Sequence, residues 1–374
     1  MHVRTALATF ALLTVLFAGC VQDDDPVQIG LLMPVTGAAA SLGVPAAQGA
    51  RLAVEEINDA GGIDGRDVEL VEGDTKFPNT NEAVAAFQRL AGEGVQVIVG
   101  ALASDSSDAV KSRANEEGIV LISPASTRPS LTGADHGYFF RTIANDDVQG
   151  PQAAAILFED LGFDETVVMF EQTGYAQGLR DTFIDAYEDL GGTVIGDPVA
   201  WENDPATFEA KAAEAAGHDP DHIWVSGQAP QIANLIAALR GQGYDGPIMT
   251  SEAIESSEIF DVAGDDLAGV TFTKSAPDPD RAEVQAFQAA YEARWGETPG
   301  PFDAFAYDAV YVVAAAIEAV GEDGAAIKGW LEGGNSVSGR ITTETIRFNS
   351  NGDVTTGGYS LWEVVPASRS FAPA

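Results

Sequence analysis

The feature that most constrains the fold is an alternation of short apolar β-branched runs with amphipathic stretches, which begins at Val27 and occurs in two successive series. In the first amphipathic stretch, Ala50, Ala53 and Ile57 recur at intervals of three and four residues and form one apolar helical face. Strands that alternate with helices predict an α/β fold with parallel sheets. Because the two series have comparable lengths, we expect two similar doubly wound parallel-sheet lobes, and the length of 374 residues also exceeds the usual size of one core.

The element boundaries follow from the same pattern. The first series predicts strands at 27–33, 67–71, 95–100 and 119–122, with helices at 46–59, 81–93 and 104–117. The second predicts strands at 166–170, 193–195, 222–226 and 247–250, with helices at 148–161, 177–190, 205–216 and 230–242. The remainder predicts helices at 281–295 and 302–320 and a hairpin that pairs 345–349 with 359–364. Polar stretches at 141–150 and 273–279 interrupt the pattern, so we expect one lobe to hold 27–145 and 277–350 and the other 146–276 and 351–374.

The first 26 residues are typical of an export and anchoring segment. A basic start is followed by an apolar run at 6–18, which is too short for a transmembrane helix and fits a signal peptide. The Leu-Phe-Ala-Gly-Cys motif ending at Cys20 resembles a lipobox, in which the cysteine is lipidated after cleavage. We therefore expect a signal peptide at 1–20, a polar tether at 21–26, and an extracytoplasmic protein anchored to the membrane through Cys20. An ordinary signal peptide cleaved nearby is the alternative.

The charge of the chain restricts its partners. Its 57 acidic residues against 19 lysines and arginines give a formal net charge of -38. The electrostatic field of so negative a protein repels nucleic acid and anionic lipid, so neither is an expected partner. A surface adapted to high salt and a merely acidic, very soluble exported protein are both consistent with this charge.

Two hydroxyl-rich turns indicate a ligand site. Ser104 follows the predicted strand 95–100, and Ser126 and Thr127 follow the predicted strand 119–122. The carboxyl ends of parallel strands meet at one sheet edge, where open α/β proteins hold their ligands. Hydroxyls and free backbone N–H groups at a helix start suit a carboxylate or similar small anion. Ser104 also stands where a helix N-cap is expected, which is its purely structural interpretation.

Signatures of catalysis are scarce. The chain has no P-loop and no Gly-x-Ser-x-Gly elbow. The glycine pattern at 241–246 follows a predicted helix rather than a strand, so it predicts a turn and not a dinucleotide site. His218 and His222 have the spacing of a helical metal pair, but Pro220 between them breaks any helix. We expect neither a metal nor a cofactor.

An ordered set of motifs resembles the leucine/isoleucine/valine-binding protein family, the solute receptors of branched-chain amino-acid ABC transporters. The motifs lie at 27–37, 53–58, 61–65, 123–127, 138–142 and 149–150, and the resemblance extends from Val27 to about Val364. It implies a periplasmic binding protein type I fold, in which a three-crossover hinge joins two lobes around an amino acid. It further implies that the protein delivers its ligand to an ABC permease and ATPase; a monomer is expected, although the sequence leaves the oligomeric state open.

The resemblance also implies roles for individual residues. Ser104 and Thr127 match the family positions that hold the ligand α-carboxylate, and Ser126 lies in the same turn. The Ala125 carbonyl and the Glu252 carboxylate match the groups that receive the α-ammonium. Ser104 as a cap, Thr127 as a turn residue and Glu252 as a solvated loop charge are the structural alternatives.

The second group of implied site residues is where the chain departs from its family. Tyr175 matches the tyrosine whose ring covers the ligand, but Leu42 and Gln228 stand where the family has two further tyrosines. Arg128 follows Thr127 where the branched-chain receptors have a small residue. Gln228 and Arg128 would admit a polar or acidic ligand, so the identity of the amino acid stays open, and relatives of this fold also bind amides, urea or aromatic acids.

Two other classes of function compete with transport. A sensory ligand-binding subunit could use the same domain. A hydrolase could use Ser104 or Ser126 as its nucleophile, but the sequence offers no histidine base positioned for either.

Overall fold

The computed structural model describes residues 25–202 and 204–374, and within these ranges two large sheets dominate the fold. The predicted signal peptide, Cys20 and most of the tether lie outside the described residues. The first sheet contains β1 (Val27–Met33), β2 (Val68–Asp74), β3 (Val97–Gly100), β4 (Val120–Ser123) and β5 (Phe139–Arg141). Its strands are all parallel and lie in the order β2-β1-β3-β4-β5.

The second sheet repeats this order and adds two antiparallel strands. It contains β6 (Glu165–Glu171), β7 (Thr193–Val194), β8 (Val199–Trp201), β9 (Ile223–Ser226), β10 (Ile248–Ser251), β11 (Val270–Lys274), β14 (Ser360–Val365) and β15 (Ser370–Pro373). Its order is β15-β14-β11-β10-β9-β6-β7, with β8 also paired to β6. Two doubly wound α/β units are therefore confirmed. Each has its switch point beside its first strand, where such sheets hold ligands.

Helices cover these sheets and follow the predicted pattern closely. They are α1 (Ala40–Asp59), α2 (Thr80–Gly92), α3 (Ser104–Glu117), α4 (Asp146–Ala155), α5 (Gly174–Asp189), α6 (Pro205–Ala216), α7 (Gln231–Gly241), α8 (Glu258–Val262), α9 (Ala282–Trp295), α10 (Asp303–Val320) and α11 (Gly324–Glu332). Helix α1 starts six residues before the predicted position because its first turns pack on the chain after β1. A Cβ at Gly43 would lie only 2.2 Å from the Pro34 carbonyl oxygen.

The predicted hairpin near the C-terminus is wrong. The strand β13 (Thr345–Arg347) pairs with β12 (Ser336–Ser338) in a small antiparallel sheet. Strand β14 instead joins the second sheet, between β11 and β15. The apolar face of β14 explains its choice of partner, since Trp362 packs against Phe272 of β11 with ring centroids 6.5 Å apart.

Three chain segments connect the two sheets. The chain leaves the first sheet after β5 and reaches β6 through α4, which continues into a π-helical turn at Ile156–Asp160. It returns after β11 to α9, α10 and α11, which pack beside α1, β3 and β4, and it crosses again between β13 and β14. This is the arrangement of the predicted three-crossover hinge; the residue-level lobe boundaries stay a prediction.

Buried apolar side chains fill the space between the sheets and the helices. Helix α10 is buried along most of its length and packs along α1. In the described part of the chain no single helix is long and apolar enough to span a membrane. Taken together, α10 and α11 have the length and apolar composition of a membrane span, but the chain bends by 107° between them.

Candidate functional site

A small cavity lies between the carboxyl ends of the two sheets. Its lining comprises Leu42, Leu102, Ala103, Ser104, Ala125, Tyr175, Gln228, Glu252, Ala253 and Phe302. Six of the eight residues assigned from the sequence therefore meet around one space, and the two others, Ser126 and Thr127, lie directly behind it in the Ala125 turn.

The turn after β3 brings Ser104 to the cavity. Gly100 has a φ of 138°, and a Cβ there would lie 2.3 Å from the Leu32 carbonyl oxygen, so only glycine fits at this strand end. The predicted N-cap role of Ser104 is wrong, because Ala103 occupies the N-cap position and Ser104 is already the first helical residue. The Ser104 hydroxyl instead accepts a hydrogen bond from the Arg128 backbone N–H at 3.4 Å.

Hydrogen bonds from a cluster of buried hydroxyls join the turn after β3 to the turn after β4. Ser126 Oγ lies 3.1 Å from the Ala101 carbonyl oxygen and 3.0 Å from that of Leu102. It also lies 2.8 Å from Ser107 Oγ, while Ser123 Oγ donates to the Ala101 carbonyl at 2.6 Å. The Ser126 hydroxyl therefore holds neighbouring backbone in place and does not line the cavity.

Thr127 and Asp146 form a buried polar pair behind the cavity. Both are fully buried, and apart from each other the Thr127 hydroxyl and the Asp146 carboxylate have no hydrogen-bond partner within the described residues. Burial raises the pKa of Asp146 to about 7, although the nearby Thr127 hydroxyl and Arg141 act in the opposite direction. Such unsatisfied buried groups are rare in folded proteins, so this corner is suited to receive a donor from a ligand or water.

The second sheet contributes Tyr175 and Glu252. Tyr175 lies in the first turn of α5, and its hydroxyl is 2.7 Å from Ser251 Oγ at the end of β10. Glu252 follows Ser251 directly and is buried. Its carboxylate accepts a hydrogen bond from the Gln149 side-chain amide, whose nitrogen is also 3.0 Å from Thr273 Oγ1. The amide therefore orients the Glu252 carboxylate without neutralising it.

The electrostatic state of Glu252 is the most informative property of the cavity. Burial raises its pKa to about 8, against the hydrogen bonds from its own backbone and from Gln149. Among the described residues it forms no ion pair with a lysine, arginine or histidine. Without a cationic partner this group is largely protonated at neutral pH, and a positively charged ligand beside it would lower its pKa and favour the charged carboxylate.

Sequence reasoning missed several lining residues. Leu102 and Ala103 belong to the same turn as Ser104, and Ala253 follows Glu252, so their neighbours could have indicated them. Phe302 comes from the N-cap position of α10 and has no such local signal. Together with Leu42 these side chains make the cavity wall largely apolar.

Gln228 and Arg128, the two departures toward polarity, have different positions. Gln228 lines the cavity, and its backbone N–H donates to Glu171 Oε2 at 3.1 Å. Arg128 does not line the cavity. Its Nη2 is 2.8 Å from Asp108 Oδ1, and its Nη1 is 3.8 Å from Asp105 Oδ1.

The cavity lining lacks the groups of a hydrolytic site. No histidine is part of the lining, and His222 is buried elsewhere with Nδ1 2.9 Å from Thr166 Oγ1. Burial lowers the pKa of His222 to about 3. Within the described ranges, no group of three or more histidine, cysteine or acidic side chains could hold a metal ion. The geometry accordingly suits binding, and the lining offers no histidine base to Ser104.

Comparison with known proteins agrees with this geometry. A family model described as periplasmic binding protein matches residues 26–365. The chain is 28% identical over 349 residues to the leucine-, isoleucine-, valine-, threonine- and alanine-binding protein of Pseudomonas aeruginosa, which covers 93% of this chain and 92% of that protein. It is 30% identical over 325 residues to the Leu/Ile/Val-binding protein homolog 1 of Brucella abortus, with 86% and 85% covered.

Solved structures show the same fold. The leucine-binding protein LivK of Thermotoga maritima superposes with a TM-score of 0.84 at 26% identity, over 93% of this chain and 97% of that chain. The branched-chain amino-acid transporter substrate-binding protein LivJ of Streptococcus pneumoniae, solved with isoleucine, gives 0.78 at 27% identity, over 90% and 100%. The predicted type I fold and the resemblance stated above are confirmed. The chain thus belongs to the periplasmic binding protein family, among the branched-chain amino-acid-binding proteins of ABC transporters.

Proposed function

We propose that this protein is an extracytoplasmic solute-binding lipoprotein that captures an amino acid in the cavity and delivers it to an ABC permease and its ATPase. The observation that carries the proposal is the buried Glu252 carboxylate, which has no cationic partner among the described residues and faces the cavity. An α-ammonium group would supply that partner. A ligand with a cationic head, an anionic group and a compact side chain fits the remaining surface.

The first sheet would hold the carboxylate of a zwitterion, and groups from both sheets would hold its ammonium. Ser104, with the Thr127 hydroxyl and N–H, would bind the α-carboxylate from the first sheet, while Glu252 and the Ala125 carbonyl would bind the α-ammonium. Tyr175 would cover the ligand from the second sheet, and Leu42 and Phe302 would contact its side chain. A ligand that bridges both sheets stabilises the closed arrangement only because it binds that arrangement better.

A second candidate ligand class is favoured by Gln228. Its side chain lines a cavity that is otherwise largely apolar, and an amide there would pair with a polar amino acid, a small amide or urea. A receptor for such a solute, or a sensory subunit with the same domain, would share the Glu252 and Ser104 contacts only if its ligand carries both an amine and an acid.

Ligand binding tests the proposal directly. The full chain is screened by thermal shift against the twenty amino acids, acetamide and urea, and each hit is measured by isothermal titration calorimetry. A native-state ligand raises the melting temperature by mass action, so at least one amino acid is expected to do so. A shift with acetamide or urea and with no amino acid would exclude the amino-acid assignment but retain the receptor.

Anchoring and delivery need their own experiments. In cells, Cys20→Ser is expected to release the protein from the membrane fraction, and mass spectrometry of the wild-type protein should show lipid on Cys20. Deleting the gene should abolish uptake of the ligand found in the screen. A protein that stays membrane-bound with serine at position 20 would contradict the anchor, and unchanged uptake would contradict transport.

A further inference from the structure

We propose that Asp105 is a latch across the cleft, which strengthens ligand binding by stabilising the closed arrangement without touching the ligand. The inference rests on the proposed function, because it assigns to that site a residue that positions its two halves. Asp105 lies in the first turn of α3, directly after Ser104, on the side of the first sheet. Its partner is the N-terminus of α5, on the side of the second sheet.

The contact is a two-oxygen acceptance of one backbone donor. Asp105 Oδ1 and Oδ2 lie 2.9 and 3.0 Å from the Gly174 backbone nitrogen, which donates between them. Gly174 is the first residue of a 16-residue helix, so its N–H has no partner within the helix. A carboxylate at this end is favoured by the helix dipole as well as by the hydrogen bond. Thr173 caps the same helix from its own side by accepting from the Ala176 N–H.

The surfaces on both sides of this contact are shaped for close approach. A Cβ at Gly174 would lie 2.4 Å from Arg128 Nη1 and 2.4 Å from Asp105 Oδ1. One turn later, a Cβ at Gly178 would lie 3.1 Å from Arg128 Cγ. The two glycines therefore leave a flat helix face against Asp105 and Arg128. A side chain at position 174 would collide only when the two halves are together.

Arg128 fixes the position of the latch rather than the identity of the ligand. Its guanidinium lies between Asp105, at 3.8 Å, and Asp108, at 2.8 Å, and none of the three side chains lines the cavity. Because the Asp105 contact joins the two halves, its free energy belongs to the closed state alone. Any loss of that contact lowers the closed fraction and hence the apparent affinity.

The test compares two aspartates that both lie near Arg128. Only Asp105 also contacts the second-sheet side, through the Gly174 N–H. Asp105→Asn removes the charge and one of the two acceptor oxygens, and Asp108→Asn removes an equal charge that contacts only the first-sheet side. L-Leucine affinity is measured by calorimetry, and exchange of the peptide containing Gly174 by hydrogen-exchange mass spectrometry. We expect Asp105→Asn to weaken binding about tenfold, the size of one charge-assisted hydrogen bond, and to speed exchange at Gly174. Asp108→Asn should change neither.

A third variant tests whether the close approach of the two surfaces at Gly174 contributes to binding. Gly174→Ala suits a helix start but places its Cβ against Asp105 and Arg128, so it should weaken binding while leaving the unfolding midpoint of the ligand-free protein unchanged or higher. The latch proposal would be overturned if Asp105→Asn bound the ligand as tightly as the wild type. It would also be overturned if Asp108→Asn weakened binding as much as Asp105→Asn does.

Failure of the proposed function has a different signature. If the wild-type protein binds no amino acid at all, the amino-acid assignment fails and the exchange data alone decide the latch. Unchanged exchange at Gly174 in Asp105→Asn then overturns it, and faster exchange with Asp108→Asn unaffected supports it.

Discussion

Arg141 and Asp353, 212 residues apart in the sequence, form an ion pair with Nε 2.6 Å from Oδ1. The Arg141 side chain is fully buried, and its Nη1 also donates to the carbonyl oxygens of Ser126 and Arg128, both at 2.9 Å. One guanidinium therefore joins the end of β5, the turn that carries Thr127 and the last chain segment that crosses between the sheets. This buried ion pair therefore holds in place the turn that carries Thr127, next to the candidate site.

Replacing Arg141 should destabilise the fold and disturb the site together. Arg141→Met leaves the partly buried Asp353 carboxylate without its cationic partner and removes a donor from two carbonyls, and breaking such a pair costs about 3–5 kcal/mol. We expect a loss of that order in the free energy of unfolding, measured by urea denaturation of the ligand-free protein.

The matched control is a surface arginine with a carboxylate partner. Arg51 pairs with Glu72 through two hydrogen bonds, but both side chains are about a third exposed or more. Arg51→Met should change the free energy of unfolding by less than about 1 kcal/mol. Similar losses in the two variants would show that burial of Arg141 is not what makes its pair important.

Glu252→Gln should separate ligand binding from folding. The amide keeps the shape of the side chain but cannot neutralise an α-ammonium, and loss of a buried charge partner costs about 3–5 kcal/mol. The dissociation constant for the best amino acid should rise by two or three orders of magnitude in calorimetry. The control is Glu171→Gln, since Glu171 is also buried, with a pKa raised to about 7, but does not line the cavity. Tight binding by the Glu252 variant would exclude an ammonium contact.

Ser104 and Ser126 offer a second matched pair, because only the first hydroxyl lines the cavity. Ser104→Ala should weaken ligand binding about tenfold, the size of one hydrogen bond to a charged group, with little change in the unfolding midpoint. Ser126→Ala should lower the free energy of unfolding by about 1–3 kcal/mol, because it removes a buried hydroxyl that hydrogen-bonds the Leu102 carbonyl and the Ser107 hydroxyl. If Ser126→Ala weakened binding and Ser104→Ala lowered only the stability, Ser126 rather than Ser104 would contact the ligand.

Local patterns in the sequence explain why much of the fold and site was predictable. The strand 27–33 matches β1 because every residue in it except Gln28 is buried, and the turns after β3 and β4 follow from strand order alone. The pairing of β14 and the arrival of Phe302 at the cavity were not predictable in this way. Both depend on contacts between segments far apart in the chain, which no short pattern encodes. The latch of Asp105 on Gly174 is of the same kind.

Buried Asp303 should make stability depend on pH. It is the first residue of α10, it is fully buried, and its Oδ2 accepts from the Gly300 N–H at 2.8 Å. Burial raises its pKa to about 7, although hydrogen bonds from Tyr291 and Gly300 oppose the shift. An unfolded aspartate has a pKa of about 3.9, so between about pH 4 and pH 7 the native protein holds a proton that the unfolded chain releases.

The sign of the effect follows from that proton. Stability from Asp303 is fully present below about pH 4 and is lost as the pH rises through about 7, with a slope of about 1.4 kcal/mol per pH unit for one proton. Asp146, Glu171 and Glu252, whose pKa values burial raises to about 7, 7 and 8, act in the same direction. The difference between wild type and Asp303→Asn isolates one of these groups.

Urea unfolding of both proteins from pH 4.5 to 8 measures that difference. The wild-type free energy of unfolding should fall more steeply with pH than that of Asp303→Asn, and the two curves should run parallel above about pH 8. The exposed Asp280→Asn serves as the control and should follow the wild type throughout. Parallel curves for wild type and Asp303→Asn between pH 5 and 7 would mean that Asp303 is already ionised in the folded protein. The Gly300 N–H and the Tyr291 hydroxyl would then have to stabilise a buried negative charge, which is costly without an ion-pair partner.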